Sequence, residues 1–491
     1  VSAHVPDALD RAGERLADRV NPIVVKEIRQ GLRTRVFWIF FGLMLFACLV
    51  ISLIAFAATE QSGGTSTDGR GYFFAYYFCL GLVQFFVIPY SAYRSMSRER
   101  EEETWVLLTL TGIGPHRILR GKMASYMLQG LIYGSAAAPF LLFSYYLNGI
   151  DLPTIVITAV AGATYQLFLT SVAVSTATLA ESKLVRSLLH FIILAFLLWG
   201  LGTGLTSTFG ALEALRNLWS DEAALVAALA LIFGMLTWGV LLYEAAAARM
   251  ALSTESYAKG PRLAFGVQLL GAIAFFVWGA KASGETTLLA VGAVVLCAHT
   301  LGVGLFVASD RDGMARSLWL KGFKRSLLKP GALRGYRMVL LSLGLITLVF
   351  AGLHVLRGGG ATEDEKRLGL ILGAPAYAAL YLSLPIVLSR MVRHPPVQTP
   401  LLVRILFLGL FVLGAGLPPL IAALIGIDPD NVAFNLLNPV VGMINIGQSH
   451  GDWSGQLLLL YGVTFGVVVL ANAVLKSRDN PPPPASVGAP A

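Results

Sequence analysis

The stretch RSMSREREEETWVLLTLTGIGPHRILRGK, Arg94 to Lys122, stands between two long apolar runs, Tyr72–Tyr93 and Met123–Leu147. It opens on a dense charge cluster and continues as an amphipathic apolar stretch. It breaks at Gly112-Ile113-Gly114-Pro115 and ends basic at the next run. A plain connector between two membrane helices needs only a few polar residues. A helix-forming body with an apolar face must dock on something, so this loop points to a membrane protein with a soluble partner.

The flanking runs set the class. The chain of 491 residues is 56% hydrophobic and 13% charged, where a soluble chain carries about 25% charged residues. Its apolar residues fall in blocks of roughly 18 to 25, the length that crosses a ~30 Å hydrocarbon core as a helix. The blocks do not alternate as barrel strands do, and a continuous apolar run in lipid satisfies its own backbone only as a helix. The expectation is an all-α polytopic membrane protein of about twelve spans: Val36–Ala58, Tyr72–Tyr93, Met123–Leu147, Thr154–Ala180, Ser187–Thr206, Glu222–Tyr243, Leu263–Ala280, Thr287–Ala308, Met338–Val355, Leu368–Ser389, Ile405–Ile425 and Trp453–Leu475.

Basic residues give the orientation. With the N-terminus inside, 31 of the 37 Lys and Arg fall on inner segments. The outer six are Arg70, Arg216, Lys281, Arg357, Lys366 and Arg367. That is a strong positive-inside asymmetry, and it puts the net charge of +9 beside the anionic inner leaflet. The bilayer accounts for the charge without any nucleic-acid partner. The expected place is a bacterial cytoplasmic membrane with both termini cytoplasmic. The first apolar run follows a long charged segment and does not read as a cleavable signal.

Residues 1–35 read as a cytoplasmic N-terminal segment of two helical pieces, Asp7–Val20 and Pro22–Arg35. In the second, Asn21 can cap and Pro22 takes the first helical turn. Ile23, Ile28 and Leu32 form an apolar stripe. Lys26, Glu27, Arg29, Arg33 and Arg35 supply charge, as in an amphipathic helix lying on the inner leaflet. Two six-helix membrane domains are expected to follow, 36–244 with the loop 94–122, and 263–475. Both share an outline: a short outer loop, then a long inner loop, then a longer outer stretch before the sixth span. No residue-by-residue repeat accompanies that outline. The Pro-rich tail 476–491 reads as disordered and cytoplasmic.

Candidate chemistry inside the spans is sparse. No Asp, Glu, Lys or Arg lies near mid-span, where ion-coupled transporters place them. Gln84, Gln129, Gln166 and Gln268 lie at depth, where they can bond across helices. His299 reads as a packing residue. Cys48, Cys79 and Cys297 all fall inside spans and read as small buried apolar groups. There is no GxxxxGK[ST] phosphate loop, no HExxH pair and no Gly-x-Ser-x-Gly elbow. No catalytic, cofactor or metal residue is assigned, and energy for any transport must come from another subunit.

Ser97–Lys122 resembles the cytoplasmic loop of type-2 ABC transporter permeases, in which an acidic cluster precedes a Leu-rich helix, a turn and an Ile-Leu-x-Gly-Lys exit. Glu99, Arg100, Glu101, Thr104, Leu107, Leu108, Thr111, Pro115, Ile118, Leu119, Gly121 and Lys122 stand at matching positions. Asn21–Arg35 is similar to the amphipathic helix that opens many such permeases. The chain departs from the pattern at Glu103, Val106 and Gly112, where Gly, an acidic residue and Pro are usual. The resemblance implies a permease subunit whose loop carries a coupling helix seated in a separate ABC ATPase subunit, with a second permease chain as a further partner. The implied docking residues are Glu99, Glu101, Glu102, Thr104, Trp105, Leu107, Leu108 and Pro115. Apolar anchors would supply buried area, and an acidic helix start would set register. Two rival readings stand beside it. One is a twelve-span facilitator, suggested by SDRDGMAR after the eighth span. The other is a membrane scaffold without transport.

Overall fold

The computed structural model describes residues 22–61, 69–102, 114–147, 150–179, 183–216, 221–251, 257–309, 327–357, 362–389, 400–448 and 453–478. The expected piece Asp7–Val20, the loop residues Thr104, Trp105, Leu107 and Leu108, the SDRDGMAR motif beyond Ser309 and the tail beyond Arg478 lie outside them. The described residues are almost wholly helical, with no strand among them. Among the described residues twelve helices are long and apolar enough to cross a membrane, as in an integral membrane protein of the expected helical class.

The chain divides into two compact units, Val1–Leu252 and Ser253–Ala491. The first holds α1 (Pro22–Leu32), α2 (Arg35–Gln61), α3 (Gly69–Glu101), α4 (Pro115–Tyr146), α5 (Leu152–Ala177), α6 (Lys183–Arg216) and α7 (Glu222–Met250). Local signals start these helices. The Asp151 carboxylate accepts from the Thr154 N–H at 3.2 Å and caps α5, and Asp221 accepts from Ala223 N–H at 2.9 Å to cap α7. Pro115, after extended Gly114, takes the first turn of α4.

The centre of this unit is α3, 56% buried along its most apolar stretch. A π-helical turn, Leu82–Val87, interrupts α3 and carries buried Gln84. Gln84 Nε2 donates to Gly130 O on α4 at 3.3 Å. From the other side, Gln166 Nε2 of α5 donates to Tyr126 O at 3.0 Å. Two of the four deep glutamines thus bridge helices as expected, each on a backbone carbonyl of α4. Most hydroxyls of α5 instead bond back within their own helix, as Thr164 does to Val160 O at 2.9 Å and Thr170 to Gln166 O at 2.7 Å. That removes their polarity from the packed face.

The second unit holds α8 (Lys259–Ala282), α9 (Thr287–Ala308), α10 (Ala332–Leu356), α11 (Thr362–Ser389), α12 (Pro400–Leu424), the short α13 (Val432–Asn435) and α14 (Val441–Gln448), and α15 (Trp453–Arg478). Its centre is α11, 78% buried along its apolar stretch. Tyr377, Leu380 and Tyr381 of α11 pack with Ile446 of α14 and with Leu457 and Leu460 of α15. Among the described residues each unit contains six candidate spans, but the central span is the second in one and the fourth in the other.

Several expected boundaries move, and one connecting stretch differs in kind. The second span runs on past Tyr93 to Glu101, because the charged residues after Tyr93 keep helical bonding beyond the apolar run. The last span continues to Arg478, so the first residues of the expected tail are helical. The stretch between the last two spans is not a simple outer loop. After Gly426, whose φ of 76° turns the chain, it folds back along α12, and Asn438 Nδ2 donates to Ala415 O at 3.0 Å. Ala415 lies about 14 Å below the end of α12 at ~1.5 Å rise per residue.

Close approach is strictest at Gly335 on α10, where a Cβ would lie 2.2 Å from the backbone oxygen of Val307. Backbone cannot step aside as a side chain can. Gly335→Ala is expected to destabilise the protein by about 1–3 kcal/mol through overpacking. Gly344→Ala on the same helix, with nothing within 4 Å, should leave it unchanged. Thermal unfolding midpoints in detergent compare the two, and an equal shift in both would refute the packing argument.

Candidate functional site

The acidic cluster and the exit of the 94–122 loop meet at a buried lysine. Lys122 lies on the second turn of α4, and its side chain is 1% exposed. Its Nζ donates to Glu99 Oε1 at 2.6 Å and to Ser95 Oγ at 3.2 Å, both on α3, and to Glu27 Oε2 on α1 at 3.3 Å. An ammonium has three N–H donors and no acceptor, so these three oxygens saturate it. The arrangement holds three helices together.

Sequence order makes the geometry informative. Ser95 and Glu99 are four apart and so share a face of α3. Glu99 stands in the last turn of the helix that leads into residues 103–113, and Lys122 stands in the helix that leads out. One ion pair therefore joins both ends of the loop. Tyr126, one turn beyond Lys122, adds a bond from its hydroxyl to Ser91 O at 3.4 Å. Glu27 brings α1 to the same point, and Gly31, one turn on, lies against Gln129 and Ser125 of α4. Lys26 and Arg29 on the same helix are exposed. Pro22 opens the helix.

The flanks of the loop are fastened too. Arg186 of α6 pairs with Glu101 at 2.6 Å, an exposed contact worth about 0–1 kcal/mol. His116 Nε2 lies 2.9 Å from Glu244 Oε2 of α7, and the Tyr243 hydroxyl donates to His116 O at 2.9 Å. Glu102 closes α3, its N–H donating to Arg98 O at 2.9 Å.

The glutamates differ from expectation in one respect. They were expected at a helix start, where the dipole favours acids. Glu99 and Glu101 instead occupy a helix end, where the exposed carbonyls disfavour them. Lys122 and Arg186 supply the offsetting charge. Of the residues expected to dock a partner, the structure places Glu99, Glu101, Glu102 and Pro115 at the base of the loop. Glu99 is turned inward on Lys122. Sequence reasoning treated Lys122 only as a basic exit and missed its burial.

Comparison with protein-family models, with curated proteins and with solved structures returns no match.

Removing the lysine charge would leave Glu27 and Glu99, 13% and 25% exposed, facing each other without a counterion. Breaking a buried pair costs about 3–5 kcal/mol, and partial exposure of the two acids brings Lys122→Met to the lower end. The triple change Lys122→Met/Glu27→Gln/Glu99→Gln should recover part of that loss. Unfolding midpoints and protease sensitivity near α1 measure it. Wild-type stability in Lys122→Met would show that the cluster holds nothing together.

Proposed function

We propose that the chain is the membrane-spanning permease subunit of an ATP-driven transporter of the type-2 ABC class, coupled through residues 94–122 to a separate ATPase subunit. The observation that carries this reading is the convergence of Glu27, Ser95 and Glu99 on Lys122. A loop that receives force from a moving partner must pass it to the spans without bending at its base. Here the outgoing helix, the returning helix and α1 are joined by one saturated cation.

The motif at Ser97–Lys122 and the basic bias of the inner segments support the same reading. In it the N-terminus and tail are cytoplasmic in a bacterial inner membrane. The amphipathic α1 lies at the inner leaflet with Lys26 and Arg29 toward anionic headgroups. A second permease chain is a further partner. Trp105, Leu107 and Leu108 are the anchors in the ATPase groove, with Thr104 beside them. Glu101 and Glu102 act at the rim.

Truncating a desolvated anchor typically costs ~2 kcal/mol or more of binding, while rim charges govern rate and salt dependence. Trp105→Ala and Leu108→Ala should therefore lose the ATPase in pull-downs at normal membrane abundance. Glu101→Ala/Glu102→Ala should keep it at equilibrium and bind with a weaker salt dependence. ATP hydrolysis should require the partner. Normal partner recovery and activity in all three variants would reduce the loop to a connector.

The topology that this reading needs is checked separately. Reporters fused after Gly71, Gly149 and Gly359 should read external, and those after Gly112 and Gly322 internal. One internal reading among the first three would overturn it.

A further inference from the structure

Two cysteines that are 31 residues apart in the sequence meet between the first two spans. Cys48 lies on α2 and Cys79 on α3, each one turn from a side chain that joins the two helices. A neighbouring contact fixes the register. Ser52 Oγ lies 2.8 Å from the Tyr76 hydroxyl and also donates to Cys48 O at 2.9 Å. Cys48 is four residues before Ser52, and Cys79 three after Tyr76. Each pair shares a helix face, so on antiparallel helices the two thiols fall one turn along from the Ser52–Tyr76 bond.

Depth decides the chemistry. Cys48 is the fourteenth of the 27 residues of α2, about 20 Å from its start at ~1.5 Å per residue. Only a reagent that dissolves in lipid reaches this level. Cys48 is wholly buried, whereas Cys79 is partly exposed, beside exposed Phe78 on the outer side of α3. The incoming reagent therefore meets Cys79 first, and Cys48 waits behind it.

We propose that Cys48 and Cys79 are a redox-active dithiol, oxidised by a lipid-soluble organic hydroperoxide to a disulfide that ties the first span to the second. The Cys79 sulfur attacks the terminal peroxide oxygen. An S–O bond forms, the O–O bond breaks, and the Cys79 proton goes to the departing alkoxide, leaving a sulfenic acid and an alcohol. The Cys48 sulfur then attacks the sulfenic sulfur. The S–S bond forms, the S–O bond breaks, and the Cys48 proton leaves with the hydroxide as water. The two thiols give up two electrons, and the peroxide takes both.

The tie falls where packing is thin. Only 17% of the most apolar stretch of α2 is buried, so few contacts hold it to the unit. α2 also follows directly from α1, whose Glu27 reaches Lys122. A covalent bond at Cys48–Cys79 restricts how far α2 moves from α3.

The full-length protein in native membranes, treated with cumene hydroperoxide, alkylated and digested, tests this. A Cys48–Cys79 linked peptide should accumulate, revert under dithiothreitol, and vanish in Cys48→Ala and Cys79→Ala. In Cys48→Ala, Cys79 should be trapped as sulfenic acid by a dimedone-type reagent. In Cys79→Ala, Cys48 should stay a free thiol. Cys297, buried in the second unit, is the internal control and should alkylate only after denaturation. Linkage by copper–phenanthroline but not by cumene hydroperoxide would leave the thiols adjacent and overturn the redox role. Failure of both oxidants on wild-type protein, which needs no substitution to fold, would overturn the pairing itself.

Discussion

A lysine that is 1% exposed cannot stay charged unless its three N–H groups are met. Taking an ammonium out of water costs several kcal/mol, and only close oxygens return it. Lys122 finds one oxygen on α1 and two on α3. The requirement therefore acts on the fold: α1 must lie on α4, and the end of α3 must lie beside the start of α4. In the second unit a buried arginine imposes a similar demand. Arg262 of α8 donates through Nη1 to the carbonyls of Leu327 and Lys329 and through Nη2 to Gly331 O at 3.0 Å. That fixes the approach to α10. In each unit a buried cation holds the chain where a long segment between spans rejoins the helices.

Within the spans the constraint changes, because lipid is as apolar as the side chains and gives helices no hydrophobic reason to associate. Close approach and polar contacts do the work. Gln84 and Gln166 reach carbonyls one turn apart on α4, from opposite neighbours. The carbonyl of Gly130 takes the first bond, and its lack of a side chain makes room for the second, since a Cβ there would lie 2.1 Å from Gln166 Oε1. The π-helical turn at Leu82–Val87 sits at the same level of α3. One added residue in that turn changes which side chains face α4, and it brings Gln84 to bear on Gly130.

How much of this the sequence discloses follows from distance along the chain. Twelve spans are legible because each is one unbroken apolar run. The start of α4 is legible because Pro115 after a glycine is a local signal, and that of α5 because Asp151 caps it. The Lys122 cluster is not, since Glu27 and Lys122 are 95 residues apart and nothing local selects Glu27 over Glu101 or Glu102. The extension of α3 to Glu101 is hidden for a related reason. Hydropathy ends at Tyr93, but the helix ends where its tertiary partners end. The Ser52–Tyr76 contact, and with it the proposed Cys48–Cys79 pairing, depends on the rotation of two helices about their axes, and uniformly apolar helices leave that rotation unmarked.

The segment between α12 and α15 shows how the same physics limits irregular backbone. Non-helical chain at membrane depth survives only where protein satisfies its carbonyls. At the turn after α13, Leu436 O accepts from the Tyr377 hydroxyl at 2.7 Å, and Leu437 O from the Tyr381 hydroxyl at 2.9 Å. Asn438 then serves both sides of the turn. Its Oδ1 accepts from Val440 and Val441 N–H at 2.9 and 3.1 Å, and its Nδ2 bonds Ala415 O and Asn435 Oδ1. Asn435 and Asn438 are both fully buried in a segment otherwise rich in Val, Leu and Ile. Two asparagines three apart, beside Pro439, are an odd choice for a solvated outer loop, where any polar residue serves. They make sense where each side chain must complete a particular backbone group. That pattern is the one trace of the inward fold that the sequence carries.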